Sequence, residues 1–453
     1  MNTNMHSVTL DKDACKGCTT CLKQCPTGAI RIRRGKAKII KERCIDCGEC
    51  IRVCPYHAKK ATTDRISVIN EYKYKVALPA PSMYVQFEKE YSVDTVLTAL
   101  LEIGFDDVFE VAAAAEIISD ASRKLFLSGE LQTPVISSAC PVILRLLMVR
   151  FPSLIANIIP VQAPVDVAAR LARERAVEKT GLKPEEIGVF FISPCPAKAT
   201  TVKMPIGIKE TNLNGVIAMK DVCLEIAKII SKITEPKKLA TAGLSGIGWA
   251  KSEGETKALG KPNSIAVDGI ANCINLLEKM EDNCIHDVDF VELSACTGGC
   301  VGGVLNVENP YIAKNKLSRV TEKITEDGDI EEVALDDILW TAPVAYRPVM
   351  NLDTNIITAM KKMAHMEEIY KNLPHLDCGA CGSPSCRTFA EDIVRGFADE
   401  TDCTFKLREK VHNLAFEMMD LERRLSPSLH RDMDKTPDES DAEKDTNTET
   451  KDE

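Results

Sequence analysis

Cys15, Cys18, Cys21 and Cys25-Pro26 follow one another as C-x2-C-x2-C-x3-C-P, and Cys44, Cys47, Cys50 and Cys54-Pro55 repeat the pattern. Three closely spaced thiolates suit three irons of one 4Fe-4S cubane, while the fourth cysteine of each run reaches the other cluster. One cluster is therefore expected on Cys15, Cys18, Cys21 and Cys54, and a second on Cys44, Cys47, Cys50 and Cys25. Zinc fits this spacing poorly, because it takes four ligands, usually as two separated pairs. Near the other end, Cys378, Cys381, Cys386 and Cys403 offer four more thiolates. Spacing alone leaves zinc and a cubane open there, and the glycines and Pro384 allow the tight loop that a bulky 4Fe-4S core needs.

Such centres need elements to hold them. Residues 72–345 alternate short apolar runs with helical stretches such as VDTVLTALLEIG and DVAARLARERAVEKTG, which indicates α/β layering with parallel sheets. Three apolar runs end alike, TPVISSAC, IGVFFISPC and VDFVELSAC, so that Cys140, Cys195 and Cys296 stand at the carboxyl ends of buried strands. The stretch VISSACPVI, 135–143, reads as one apolar strand running into Cys140-Pro141. Strand ends of this kind open into the crevice where α/β folds build their sites. Cys300 follows after Thr-Gly-Gly, whose glycines let the backbone approach something large. Together Cys140, Cys195, Cys296 and Cys300 could hold a third cubane. Cys223, Cys273 and Cys284 read as small buried hydrophobes, and His57 as a surface side chain.

The N-terminal repeat resembles a bacterial two-cluster ferredoxin, and the run from Cys378 to Cys403 resembles the small 4Fe-4S domain of several anaerobic redox proteins. The loops SSACP, SPCPAK and ELSACTGGCVGG look like the three active-site signatures of the FeFe hydrogenases, in matching order and after matching strands. The likeness covers most of the chain and omits the acidic tail. It implies that Cys140, Cys195, Cys296 and Cys300 hold a 4Fe-4S subcluster, and that Cys300 bridges it to a diiron unit with CO, cyanide and an azadithiolate bridge, the H-cluster. It further implies that Lys198 hydrogen-bonds one cyanide, and that Ala80, Pro81 and Ser82 line the pocket of the other.

The departures from that family carry as much information. Its catalytic members place a proton-exchanging cysteine where this chain has Ala139, and a methyl group is neither acid nor base. Asp120, Ala121 and Ser122 stand about where their relay glutamates are expected. Ser193 and Ser294 replace methionines near the diiron unit, and no glutamate follows Lys198 in ATTVK. Ligands kept and a proton path lost suit a slow, H2-responsive protein, like the sensory FeFe hydrogenases. A metabolic hydrogenase with another proton path, and an iron-sulfur electron carrier without the diiron unit, are the alternatives.

The chain has 453 residues, 19 cysteines and a formal charge of −10. The charge disfavours nucleic acid as a partner, and no apolar run is long enough for a bilayer. With no secretory signal in MNTNMHSVTLDKDAC, the cysteines are expected in a reducing cytoplasm, as metal ligands and not disulfides. The expected partners are H2, protons, a redox protein and a signalling protein. The expected division is a two-cluster ferredoxin over 1–64, an H-cluster domain over 65–345, a linker and third 4Fe-4S domain over 346–403, a helix over 404–426 and a disordered acidic tail over 427–453. Within the helix, Leu407, Val411, Leu414, Met418, Leu421 and Leu425 alternate four and three apart. That pattern fits a coiled-coil homodimer and equally a helix packed on its own domain.

Overall fold

The computed structural model describes residues 6–260, 263–324, 328 and 332–424. The N-terminal repeat forms β1 (Val8–Leu10), β2 (Ile30–Arg33), β3 (Lys36–Ile39) and β4 (Lys59–Ala61), with β1 pairing β4 and β2 pairing β3, both antiparallel. Ladders this short bury little on their own. Their core is a small cluster of Leu22, Ile30, Ala37 and Ala58 together with Cys15, Cys21 and Cys54, so the thiols are part of what holds the module together.

The central region is α/β, with helices layered on two parallel sheets. Its strands are β5 (Tyr74–Pro79), β6 (Asp107–Val108), β7 (Val135–Ile136), β8 (Ile187–Ser193), β9 (Gly215–Ala218), β10 (Ser264–Asp268) and β11 (Phe290–Ser294). They pair in the orders β6-β5-β8-β9 and β10-β11-β7. Every residue of β8 is buried, as expected of a parallel strand covered on both faces. The helical stretches foreseen from periodicity form Val93–Glu102 and Pro164–Thr180.

VISSACPVI is not one strand. Only Val135–Ile136 joins the ladder, and Pro141 opens the helix Pro141–Arg150 with Cys140 as its N-cap. Proline at the first helical position lacks only an N–H that would go unpaired there, and Ser138 Oγ, bonded to the Val161 carbonyl at 2.8 Å, draws the chain out of the sheet. Cys195 and Pro196 repeat the device at the start of helix Pro196–Lys203.

The C-terminal region packs helices Ile356–Lys371 and Cys386–Val394 around Met366, Ile369, Leu373 and Phe389, with Cys403 in the same core. Helix Thr404–Arg423 then leaves the body with no buried residue, and Leu407, Val411, Leu414, Met418 and Leu421 are all exposed. Packing on its own domain is thereby excluded for this helix. Leu425 of the foreseen seam and the acidic tail lie outside the described residues.

Candidate functional site

The carboxyl ends of β5, β7, β8 and β11 face one pocket of about 120 Å³, lined by Cys140, Cys195, Cys296 and Cys300. The four thiols converge closely enough to act on one another. Burial, reinforced by Cys140, pushes Cys195 up to about 11. Burial, with Cys140 and Cys195, pushes Cys300 up to about 12, and Cys296 lies well above the ordinary thiol range for the same causes. Thiols raised in this way, as Cys195, Cys296 and Cys300 are, lose their protons to a metal that binds them, so the donor set with Cys140 fits a sulfur-ligated iron centre.

A positive-φ glycine shapes the loop on its wall. Gly299 has φ +90°, and a Cβ there would lie 2.5 Å from the backbone nitrogen of Ser252. Gly299→Ala is therefore expected to displace the loop between Cys296 and Cys300 and to lose iron from this site while leaving the ferredoxin clusters loaded. Iron analysis with electron paramagnetic resonance (EPR) checks this, and full loading at the pocket would refute it.

Among the other residues expected here, Lys198, Ala139, Ala80, Pro81 and Ser294 line the pocket. Ser82 and Ser193 are fully buried but stand behind the wall. Ser82 Oγ rests 3.9 Å from Met219 Sδ, and Ser193 Oγ accepts from the Cys195 N–H at 3.1 Å and donates to its carbonyl at 3.0 Å, fixing the ligand's loop.

Sequence reasoning missed three carboxylates. Glu255 and Glu292 line the same pocket, both buried. Burial, compounded by Glu292, raises Glu255 to about 8, so it is a neutral acid at pH 7. Ser137 Oγ donates to Glu255 at 2.5 Å and accepts from the Ala139 N–H at 3.2 Å. Glu292 accepts from the Glu253 and Thr256 N–H groups and from Thr256 Oγ1, each at 2.9 Å. Glu253 itself is at the surface, paired with Lys257 at 2.8 Å. A charged residue inside the apolar run FVELS was the visible signal for Glu292; nothing marked Glu255. The third is Asp166 on helix Pro164–Thr180. It lines a smaller adjoining cavity with Lys198 and Ala139, is raised by burial, and is held down by the Lys198 charge.

The outlying thiols gather as the spacing requires. The cysteines acting on Cys21 are Cys18, Cys54 and Cys15, those acting on Cys47 are Cys25, Cys50 and Cys44, and those acting on Cys381 are Cys403, Cys378 and Cys386. The Lys59 ammonium is buried without a hydrogen-bond partner and its charge acts on Cys15, Cys21 and Cys50. An unpaired buried ammonium is costly, so anionic clusters on both sides fit what the protein has prepared. His57 is exposed. His6 lies beside Cys44 and Asp46, but that carboxylate already accepts from Ser7, Arg145 and Thr200.

The family model for the iron-only hydrogenase large subunit, C-terminal domain, matches residues 73–228 and 214–304. The chain belongs to this iron-only hydrogenase family. A 4Fe-4S dicluster domain model matches residues 7–55 and an Fe-S cluster model residues 373–405, so the hydrogenase-like domain is flanked by a ferredoxin-type module and a small iron-sulfur domain. Iron hydrogenase 1 of Clostridium pasteurianum is 24% identical over 323 residues, 59% of this chain and 55% of that protein. The chain thus spans about half the length of that relative. Subunit gamma 2 of the acetyl-CoA decarbonylase/synthase complex of Methanosarcina mazei is 36% identical over 64 residues, 14% of this chain and 13% of that protein. Among solved structures, FeFe-hydrogenase HydA1 from Chlamydomonas reinhardtii is similar at 18% identity, covering 54% of this chain and 84% of that one with a TM-score of 0.42.

Proposed function

We propose that this hydrogenase-family chain is a slow, H2-responsive protein that passes electrons through 4Fe-4S clusters to a partner in the cytoplasm. The observation that carries the proposal is a single pocket in which Cys140, Cys195, Cys296 and Cys300 converge beside Lys198, with the methyl group of Ala139 on its wall; the resemblance implies a proton-exchanging thiol at that position in catalytic members. The four cysteines would hold the subcluster of an H-cluster, with Cys300 also facing the diiron unit. When bound, that group supplies the interconversion of H2 with two protons and two electrons.

The chain's own residues would do the rest. Lys198 brings an ammonium to anionic ligands in a largely apolar pocket, where a charge-assisted hydrogen bond is strong. Asp166 balances that charge from behind. Ala139 offers no proton, so any proton must leave by a group that can hold one, and the Glu255 carboxyl on the wall is such a group. The same pair favours a second reading, a metabolic hydrogenase whose proton path runs through Glu255 and Glu292.

The deciding measurement is infrared spectroscopy of the protein loaded with a diiron precursor, under argon and then under H2. Bands of CO and cyanide that shift under H2 are the expected result, and their absence beside intact cubanes would leave an electron carrier. Turnover at rates typical of metabolic enzymes would overturn the sensory reading in favour of the second. Among the described residues no helix is long and apolar enough to cross a membrane. The exposed helix Thr404–Arg423 is where a signalling partner or a second copy would bind.

A further inference from the structure

We infer that the clusters form a single file in which the C-terminal cluster is reached from the hydrogenase pocket through the ferredoxin module, in the order pocket, Cys25/Cys44/Cys47/Cys50 site, Cys15/Cys18/Cys21/Cys54 site, Cys378/Cys381/Cys386/Cys403 site. The inference rests on the cubane assignments and not on the diiron unit. Each junction has its own structural basis.

At the first junction, Asp46 of the ferredoxin module is fully buried. It accepts from Arg145 Nη1 at 2.7 Å and from Thr200 Oγ1 at 2.7 Å. Those residues belong to the helices that begin at Cys140 and Cys195. Arg145 lies within electrostatic reach of both Cys195 and Cys44, one thiol from each site. At the second, Cys50 lies within electrostatic reach of Cys21, and the partnerless Lys59 ammonium acts on both.

The third junction is the unexpected one. The linker touches the hydrogenase domain, where the Arg347 N–H donates to the Met148 carbonyl at 2.7 Å, but the cluster-bearing part of the C-terminal region docks on the ferredoxin module. Arg31 Nε and Nη2 grip Asp392 at 2.5 and 2.9 Å, Arg33 Nη2 reaches the same carboxylate at 3.2 Å, and Arg43 pairs with Glu391. Arg31, Arg43 and Asp392 are buried, so this is a fixed interface and not a surface brush. The cluster loop itself takes part. The Cys381 carbonyl accepts from Arg33 Nη1 at 3.1 Å, and the Gly382 carbonyl accepts from the Ile32 N–H at 2.9 Å. At Gly379 a Cβ would meet Leu22, Lys23 and Thr19 at 3.5–3.6 Å, the segment that carries Cys21. Among the described residues, the hydrogen bonds of 378–403 that leave the C-terminal region end on the ferredoxin module.

Electron transfer between buried centres falls off steeply with separation, so adjacency sets the order. Each hop oxidises one cubane by one electron and reduces its neighbour by one, with no proton moved. At the far end the acceptor is a one-electron redox protein. Cys378 is exposed and Cys403 caps the free helix Thr404–Arg423, so the file ends at the surface, at the foot of that helix.

The test uses the full chain with its cubanes reconstituted and no diiron unit, reduced and examined by EPR. In the native chain the terminal cluster's signal should be split or broadened by a reduced neighbour. Cys15→Ser, which removes a ligand of the neighbouring cluster, should leave that signal isolated. Asp392→Ala, which keeps every ligand but loosens the interface, should weaken the coupling. Loss of coupling in either variant supports the order. Coupling that survives both, or its absence from the native chain, overturns it. Because the diiron unit plays no part, a chain that fails the infrared test above can still pass this one.

Discussion

Glu255→Gln is expected to lower H2 turnover of the loaded protein by about 10²–10⁴-fold, the usual contribution of a positioned proton-transfer group, while leaving the infrared bands of the bound unit in place. Glutamine keeps the shape and accepts from Ser137 as the acid does, but it cannot release a proton. The expected path runs from the pocket to Glu255 and across to Glu292, which is held by the backbone N–H groups of Glu253 and Thr256. Ser137 links the backbone at position 139 to Glu255, so Ala139→Cys should raise turnover in the native background and not in Glu255→Gln. Asp120, which stands about where the resemblance puts a relay glutamate, is instead partly exposed and paired with Lys124 at 2.7 Å. Undiminished turnover in Glu255→Gln would dismiss the path.

The same carboxyl has a thermodynamic signature. Its folded pKa, about 8, is raised by burial above the ordinary glutamate value of 4.5. The native state thus holds a proton that the unfolded chain releases, and the associated stability is fully present below about pH 4.5, declines as pH rises, and is gone above about pH 8. Denaturation midpoints measured across that window should fall with pH in the native chain and fall less in Glu255→Gln. An equal slope in both would mean that Glu255 is ionised in the folded protein.

Much of this was legible because cluster ligation is local. A C-x2-C-x2-C spacing fixes three ligands of one cubane, and the loops at Cys140, Cys195 and Cys296 each carry their cysteine shortly past the end of a strand. What escaped was set by contacts between distant segments. Arg31 and Asp392 are 361 positions apart, and nothing near either announces the other. Glu255 sits in GETKALG, an ordinary helix start, and only its placement over β11 makes it an acid held near neutrality. The single-strand reading of VISSACPVI failed because apolar content does not distinguish a two-residue strand followed by a proline-opened helix from a longer strand. The outer helix was undecidable for the opposite reason. Its apolar seam is real, but where that seam goes depends on the body it leaves.

Asp46→Ala should be the most destabilising single change at the junction between ferredoxin module and hydrogenase domain, by about 3–5 kcal/mol, the range for stranding one partner of a buried ion pair. Asp46 and Arg145 have side chains 0% and 7% exposed, and the pair is 2.7 Å apart. Burial works against the Arg145 charge and Asp46 restores it, while Arg145 Nη2 has no hydrogen-bond partner of its own. Removing the carboxylate also takes from the Ser7 N–H its acceptor at 2.8 Å and from the Thr200 hydroxyl its acceptor at 2.7 Å, leaving Thr200 with Ser7 Oγ. Replacing Arg145 as well, in Asp46→Ala/Arg145→Met, removes the stranded charge and should recover much of the loss, since an apolar pair of similar volume is often as stable as the ion pair. Urea denaturation of the two variants beside the native chain measures this. If the double variant is no more stable than Asp46→Ala, the ion pair is not what Asp46 contributes, and the junction is held by the hydrogen bonds to Ser7 and Thr200 instead. If it recovers stability yet the cluster at Cys44 no longer couples to the one in the pocket, the pair's role is to set the electrical contact between the two sites more than to hold them together.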